Sequence, residues 1–241
     1  MNIIFTMAGN YSRFIPFANR VPKYLLPLAN GSILKEVIHQ TTTSCQDCDL
    51  YFIANNKDQL FFPVHSAILE SFDIPSNRLV FIDDTSSQLE TATELSNFEG
   101  SLLESSPVVF MNIDTVLFHR KSFFKRLGEL SGQDAGLIDV FQGYSNTYSY
   151  CLTDGDKVKH VAEKKIISKI ACSGLYGFGS LSFFRKYAEF SLSRDRKSNF
   201  TDLYNFIIES GHNVHYSLCE NVADTIVLGT PQEYIKNIHR L

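Results

Sequence analysis

Read only for hydrophobic and polar positions, the chain alternates short apolar, β-branched runs with longer stretches of helical spacing. The runs Asn2 to Thr6, Leu50 to Ala54, Leu79 to Ile82 and Val108 to Met111 read as buried strands. Between the first two, Ser32 to Thr43 places apolar residues at Ile33, Leu34, Val37 and Ile38, with Ser32 as an N-cap. Leu60 to Phe72 reads as a helix in which Pro63 must fall near the start. The polar loop Asp83 to Gln88 leads into Leu89 to Leu95, again of helical spacing. Strands alternating with helices of this length predict a parallel sheet with helices on both faces.

The second half of the pattern is more varied. Arg120 to Leu130, Ser180 to Leu192 and Asn199 to Ser210 read as helices, the last ended by Gly211. Ala135 to Gln142 and Tyr148 to Thr153 read as strands. Asp154-Gly155 is the strongest hairpin turn signal, so Val158 to Glu163 should return antiparallel. His215 to Leu218 and Asp224 to Leu228 complete the strands. The expected fold class is α/β, one domain over residues 1–241, with a mixed, mostly parallel sheet covered by helices on both faces.

Composition narrows the function. A chain of 241 residues is ample for a real core, and 44% of them are hydrophobic. Net charge is −4 and no Lys/Arg cluster exceeds a few residues, which argues against a nucleic-acid partner. No apolar run approaches the ~20 residues that span a bilayer, so no membrane partner is expected. The first residues form a strand rather than a basic-then-apolar leader, and five cysteines is an odd number. Reduced thiols in the cytoplasm are therefore expected. Cys45-x-x-Cys48 supplies only half of a zinc site.

Candidate chemistry begins where the first strand ends. Ala8-Gly9-Asn10-Tyr11-Ser12-Arg13-Phe14 is a small-residue turn followed by a cation, and Pro22-Lys23 follows shortly after. A strand feeding such a loop can aim successive backbone N–H groups at one point, a seat for phosphate oxygens. Arg13 and Lys23 would bring two fixed positive charges to it. A second signal is Asn112-Ile113-Asp114, at the carboxyl end of an apolar strand. Ligands of open α/β sheets bind outside those ends. An acid there can bind Mg²⁺ or cap the following turn at Thr115.

Met-Ala-Gly-x-x-Ser-Arg-Phe followed by Pro-Lys-Tyr-Leu resembles the signature of nucleotidyltransferases that activate phosphorylated sugars and related small molecules. The resemblance implies that Ala8, Gly9, Asn10 and Ser12 wrap a nucleoside triphosphate while Arg13 and Lys23 hold its phosphates. Thr85, Ser87, Gln88 and Thr91 resemble the stretch that touches base and ribose, and an amide such as Gln88 can donate and accept at once. A helix capped by Ser86 or Ser87 accounts for the same residues. Asp114 matches the metal-binding acid, with Mg²⁺ as the implied cofactor, and Asn112 would reach the nucleotide. Glu163-Lys164 resembles the pair that binds the acceptor, with Lys164 on its phosphate. Gly174 and Tyr176 fall in a Gly-x-Tyr-x-Phe strand under the acceptor, Gly174 leaving room for it.

Gly229-Thr230-Pro231 resembles the family's closing motif, with two departures elsewhere. Tyr11 stands where a second glycine is usual, and Val227 stands where two-metal members carry aspartate. Either Asp114 and phosphates alone hold the metal, or Asp224 reaches in through a bulge. The implied reaction joins an NTP, CTP slightly favoured, to a phosphorylated small molecule such as a sugar phosphate, with release of pyrophosphate and a role in surface polysaccharide. The family leaves a homo-oligomer open. The alternatives are a metal-dependent glycosyltransferase of related architecture and a degenerate nucleotide-sensing subunit.

Overall fold

The computed structural model describes residues 1–241 apart from Asn10, Asn19, Glu99 and the Phe17 side chain. The chain opens with β1 (Asn2–Thr6), followed by the short helix α1 (Ile15–Ala18) and a small hairpin, β2 (Pro27–Leu28) and β3 (Gly31–Ser32). Helix α2 (Ile33–Ser44) starts at Ser32, whose hydroxyl accepts from the Lys35 N–H. Then come β4 (Asp49–Asn55), α3 (Phe62–Glu70) with Pro63 in its first turn, β5 (Leu79–Ile82) and α4 (Gln88–Thr93) capped by Ser87. Strand β6 (Val108–Asn112) is followed by β7 (Thr115–Leu117), α5 (Lys121–Glu129) and β8 (Ala135–Gln142). A hairpin of β9 (Tyr150–Asp154) and β10 (Lys157–Ala162) leads to β11 (Ile170–Phe178), α6 (Leu181–Arg194), α7 (Phe200–Glu209), β12 (Asn213–Cys219), β13 (Thr225–Val227) and α8 (Pro231–Asn237).

One nine-stranded sheet organises these elements, in the order β5-β4-β1-β6-β11-β8-β12-β10-β9. The first four of these strands are parallel neighbours, as the alternating pattern predicts. Beyond β6 the description "mostly parallel" fails for the pairings. Strand β11 is antiparallel to β6, β8 and β9, and β10 is antiparallel to β9 and β12, leaving β8–β12 as the parallel pair of that half. For β9 and β10 the reason is local. The β9–β10 connection is a two-residue hairpin at Gly155-Asp156, with Gly155 at φ +58°, and no crossover helix intervenes to restore direction.

Because side chains alternate along a strand, β1 feeds both faces of the sheet. Ile3 and Phe5 pack with α2 and α5 residues such as Val37, Ile38 and Phe123. Ile4 packs oppositely with Phe110, Phe184 and Phe200 against α6 and α7. With helices over both faces, β1 is buried throughout, which explains its unbroken apolar pattern. The parallel strands end together on one edge, and Thr6, Asn112 and Asp114 stand there. Below that edge Arg120 Nε donates to Asp139 Oδ2 at 2.8 Å, and its other nitrogens donate to Phe118 O, Asp224 O and the Thr225 hydroxyl. This buried ion pair ties the start of α5 to β8 and β13.

Candidate active site

A cleft of about 440 Å³ opens at the carboxyl ends of β1 and β6 and continues over β11 to the N-terminus of α7. One half is built by the first parallel strands. Arg13 lies on a 3₁₀ turn, Ser12–Phe14, and Lys23 on another, Lys23–Leu25. Asp114 follows β6. All three line the cleft, and Lys23 Nζ is 2.5 Å from Asp114 Oδ2. Ser12, Gln88 and Asn112 line it too. The Gln88 amide donates to the Thr6 hydroxyl at 2.8 Å and to Asn112 Oδ1. It thus braces the ends of β1 and β6 while facing the cleft.

The other half comes from the antiparallel region. Glu163 and Lys164 follow β10, 3.0 Å apart, and Glu163 also accepts from the Ser149 hydroxyl at 2.5 Å. Lys164 sits at φ +50°, a left-handed backbone that a side chain with a Cβ adopts at a cost. Tyr176 is buried and stacks on Phe200 with ring centroids 4.6 Å apart. Gly174, at φ +89°, marks a bulge in β11 where the pairing with β8 shifts register. Gly174 itself lines the cleft. A Cβ there would lie 2.6 Å from Asn112 Nδ2, so the missing side chain makes room for Asn112.

Three of the residues expected in the nucleotide half, Ala8, Gly9 and Thr91, stand apart from the rest. Asn10 lies outside the described residues. Ala8 is buried and its carbonyl accepts from Asn55 Nδ2, while Gly9 is exposed; neither lines the cleft. Thr91 is buried on α4, its hydroxyl engaged with Thr85 and the Ser87 carbonyl. Leu89, Thr91 and Ala92 are the buried residues of this helix, so packing decides the position of Thr91. Ser87 caps the helix, and Gln88 remains in the cleft.

Asp224 is answered as well. Its carboxylate takes His119 Nδ1 at 3.0 Å and Asn221 Nδ2 at 2.9 Å, outside the cleft, while Val227 lines it. The second carboxylate near Asp114 is instead Glu233, held by the Thr230 hydroxyl at 2.9 Å. A Cβ on Gly229 would lie 3.2 Å from Asp114 Oδ2 and 3.6 Å from Glu233 Oε2, so this glycine keeps the approach to Asp114 open. Among the described residues no group of three His, Cys, Asp or Glu side chains is placed to hold a metal.

Several lining residues carry little sequence signal: Thr147, Tyr148 and Ser149. Thr147 to Ser149 precede a hairpin, and only the topology shows that they face the cleft. The Tyr148 phenol is pushed up to about 12 by burial, with Glu233 and Tyr150 adding to it, and remains a neutral donor at physiological pH. Tyr11, at the glycine position of the resembled motif, has φ −99°, which any residue adopts.

No family model and no curated protein matches the chain. Solved structures do. The nucleoside-diphosphate-sugar pyrophosphorylase of Vibrio cholerae RC9 superposes with a TM-score of 0.81 at 23% identity, over 98% of this chain and 99% of that one. A Bacillus anthracis protein assigned as a glucose-1-phosphate thymidylyltransferase, in complex with sucrose, gives 0.80 at 15% identity over 99% and 94%. A UDP-glucose pyrophosphorylase complexed with UDP-glucose gives 0.76 at 12% identity over 99% and 97%. The chain has their fold. It is a mixed α/β fold, and each match runs nearly end to end in both chains.

Proposed function

We propose that the protein is a nucleotidyltransferase that joins an NTP to a phosphorylated small molecule and releases pyrophosphate. The observation that carries this reading is the convergence of Arg13, Lys23 and Asp114 in one cleft, in a chain with the fold of nucleotide-sugar pyrophosphorylases. In the reaction, an oxygen of the acceptor phosphate bonds to the α-phosphorus, and the bond from that phosphorus to the oxygen bridging to the β-phosphate breaks. Pyrophosphate carries away the electron pair. The nucleophile is already an anion, so no general base is needed.

The obstacle is repulsion. Two like unit charges 4 Å apart repel by about 4 kcal/mol at an effective dielectric near 20. Catalysis is therefore chiefly positioning and charge neutralisation. Arg13 holds the β- and γ-phosphates, and Lys23 the α-phosphate and its developing charge. Lys23 rests on Asp114 until the triphosphate arrives, which keeps its ammonium aimed into the cleft. Lys164 holds the acceptor phosphate, with Glu163 and Tyr176 beside the acceptor. Ser12, Gln88 and Asn112 face the nucleotide.

A hard-oxygen donor left open by Gly229 fits Mg²⁺, which typically takes one or two carboxylates together with substrate phosphates. Asp114 would hold it, and when bound it supplies further charge neutralisation at the phosphates. We read the acceptor as a sugar phosphate or similar compound, CTP as the favoured nucleotide, and surface polysaccharide synthesis as the setting.

A thermal-shift screen of the four NTPs with Mg²⁺, followed by assay of pyrophosphate release over a panel of phosphorylated acceptors, tests this. Stabilisation by an NTP and pyrophosphate release are expected. Release of a nucleoside diphosphate instead would identify a glycosyltransferase, and NTP binding with no turnover a nucleotide sensor.

A further inference from the structure

The cleft depends on a side chain that does not line it. Asp58, in the 3₁₀ turn after β4 (Asn56–Phe61), is completely buried. Its two carboxylate oxygens are taken by two phenols from distant parts of the chain. The Tyr11 hydroxyl donates to Oδ1, and the Tyr24 hydroxyl donates to Oδ2 at 2.7 Å. The positions of these tyrosines are what matter. Tyr11 precedes Ser12 and Arg13, and Tyr24 directly follows Lys23.

A buried carboxylate without partners is costly, so an Asp58 anion strongly favours the arrangement that brings both phenols to it. Hydrogen bonds to an ionised acceptor are also stronger than neutral ones. Tyr24 is fixed further by His65, whose Nε2 lies 3.2 Å from its hydroxyl, and by the tilted contact of the two rings at 5.6 Å. Burial first, and then Asp58, raises the pKa of both phenols, so each retains the proton it donates. Tyr11 is less enclosed, and its link to Asp58 joins the cation-bearing loop to the rigid side of the fold. This also accounts for tyrosine at a position where the resembled motif has glycine.

We infer that Asp58 is the positioning residue that sets the separation of Arg13 and Lys23, holding the segment of each cation through its neighbouring tyrosine. The assignment rests on the proposed reading of the cleft as a triphosphate site. It gives the two cations one common reference point, so that both meet the phosphates of a single ligand.

The test uses tripolyphosphate as a probe of the phosphate seat, by titration calorimetry, alongside NTP turnover and Tm, for Tyr11→Phe, Tyr24→Phe, Asp58→Asn and Tyr11→Phe/Asp58→Asn. Tyr11→Phe removes one hydroxyl at a half-buried site. It is expected to weaken tripolyphosphate and raise the KM for NTP by about tenfold, with a modest Tm loss from the Asp58 oxygen left unpaired, while leaving the acceptor KM near that of the unmodified protein. Asp58→Asn is expected to weaken tripolyphosphate at least as much, and adding Tyr11→Phe to it should weaken it no further. Tyr11 lines the cleft and Tyr24 does not, so should Asp58→Asn fail to fold, Tyr24→Phe decides the matter, and it too is expected to weaken tripolyphosphate. Tripolyphosphate binding unchanged in Tyr11→Phe or in Tyr24→Phe, or a Tm loss with unchanged affinity, overturns the inference. If the unmodified protein binds neither tripolyphosphate nor any NTP, the proposed reading itself fails, and the assignment of Asp58 falls with it.

Discussion

Lys23 and Gly174 show how single residues act on this cleft in opposite ways, one by the charge it carries and one by the atoms it lacks. Lys23 is the cation closest to Asp114, and on the proposed mechanism its ammonium meets the charge that develops at the α-phosphate. One preorganised donor of this kind is commonly worth about 2.7–4 kcal/mol in the transition state. Lys23→Ala should therefore lower kcat by roughly a hundredfold or more, measured as pyrophosphate release at saturating substrates. Near-normal turnover would remove Lys23 from the mechanism. Gly174 acts through space. Its φ of +89° and the Asn112 atoms 2.6–3.0 Å from a Cβ built there leave no room for a side chain. Overpacking of this kind costs about 1–3 kcal/mol, and the left-handed backbone adds to it. Gly174→Ala should lower Tm by roughly 4–12 °C, by calorimetry or thermal shift. An unchanged Tm would mean that Asn112 yields freely, and that the glycine has another use.

At the scale of elements, the β9–β10 hairpin carries the acceptor half of the cleft. Its turn at Gly155 and the bulge between Val158 and His160 together set the register that delivers Glu163 and Lys164, with Lys164 at φ +50°. A glycine adopts that backbone without the Cβ conflict that opposes any other residue by about 1–2 kcal/mol. Lys164→Gly should thus be more stable than Lys164→Ala by about 1 kcal/mol, read from chemical denaturation, although both lose the ammonium and raise the acceptor KM. Equal stability of the two variants would contradict a strained lysine. Helix α3 offers a pH dependence. Burial holds the His65 pKa below its ordinary value, outweighing the Phe61 carbonyl and the Asp58 charge, which favour the imidazolium. The folded state thus binds fewer protons at His65 than the unfolded chain does. Stability is fully present above the unfolded pKa of about 6.5 and falls as pH drops through it. His65→Gln should flatten the slope of Tm between about pH 6.5 and 5; a slope unaffected by the change would rule out His65 as its source.

Elements were legible wherever one local rule sufficed. Ser32 and Ser87 cap helices as their spacing suggests, β1, β5 and β8 have the expected bounds, and Pro63 falls in a first turn. What the pattern could not show depends on pairing between distant segments. The reversal of β11 within the sheet is one case. The burial of Thr91 is another, because a polar residue on the inner face of α4 looks the same in sequence as one aimed at a ligand. Asp58 is the clearest. A lone aspartate after a strand carries no motif, and its meaning appears only when Tyr11 and Tyr24 are brought to it from other parts of the chain.

For the whole molecule, the cleft straddles the junction between the parallel and antiparallel halves of one continuous sheet. Strand β11 joins them, paired with β6 on one edge and β8 on the other. On the α6–α7 face, the apolar cluster runs across the junction without a break. It links Ile4 and Tyr51 of the first half with Ile138, Tyr204 and Val214 of the second. The buried Arg120–Asp139 pair ties the start of α5 to β8. Neither half can open without exposing this shared core, so we expect the chain to behave as a single domain. Thermal unfolding should show one transition with calorimetric and van't Hoff enthalpies in agreement, and the same midpoint by far-UV and near-UV circular dichroism. An NTP that binds the folded state should raise that single midpoint with concentration, since binding stabilises by RT ln(1 + [L]/Kd). Two separated transitions, with only the earlier or only the later one responding to NTP, would show instead that the triphosphate and acceptor halves are independent units brought together at the cleft.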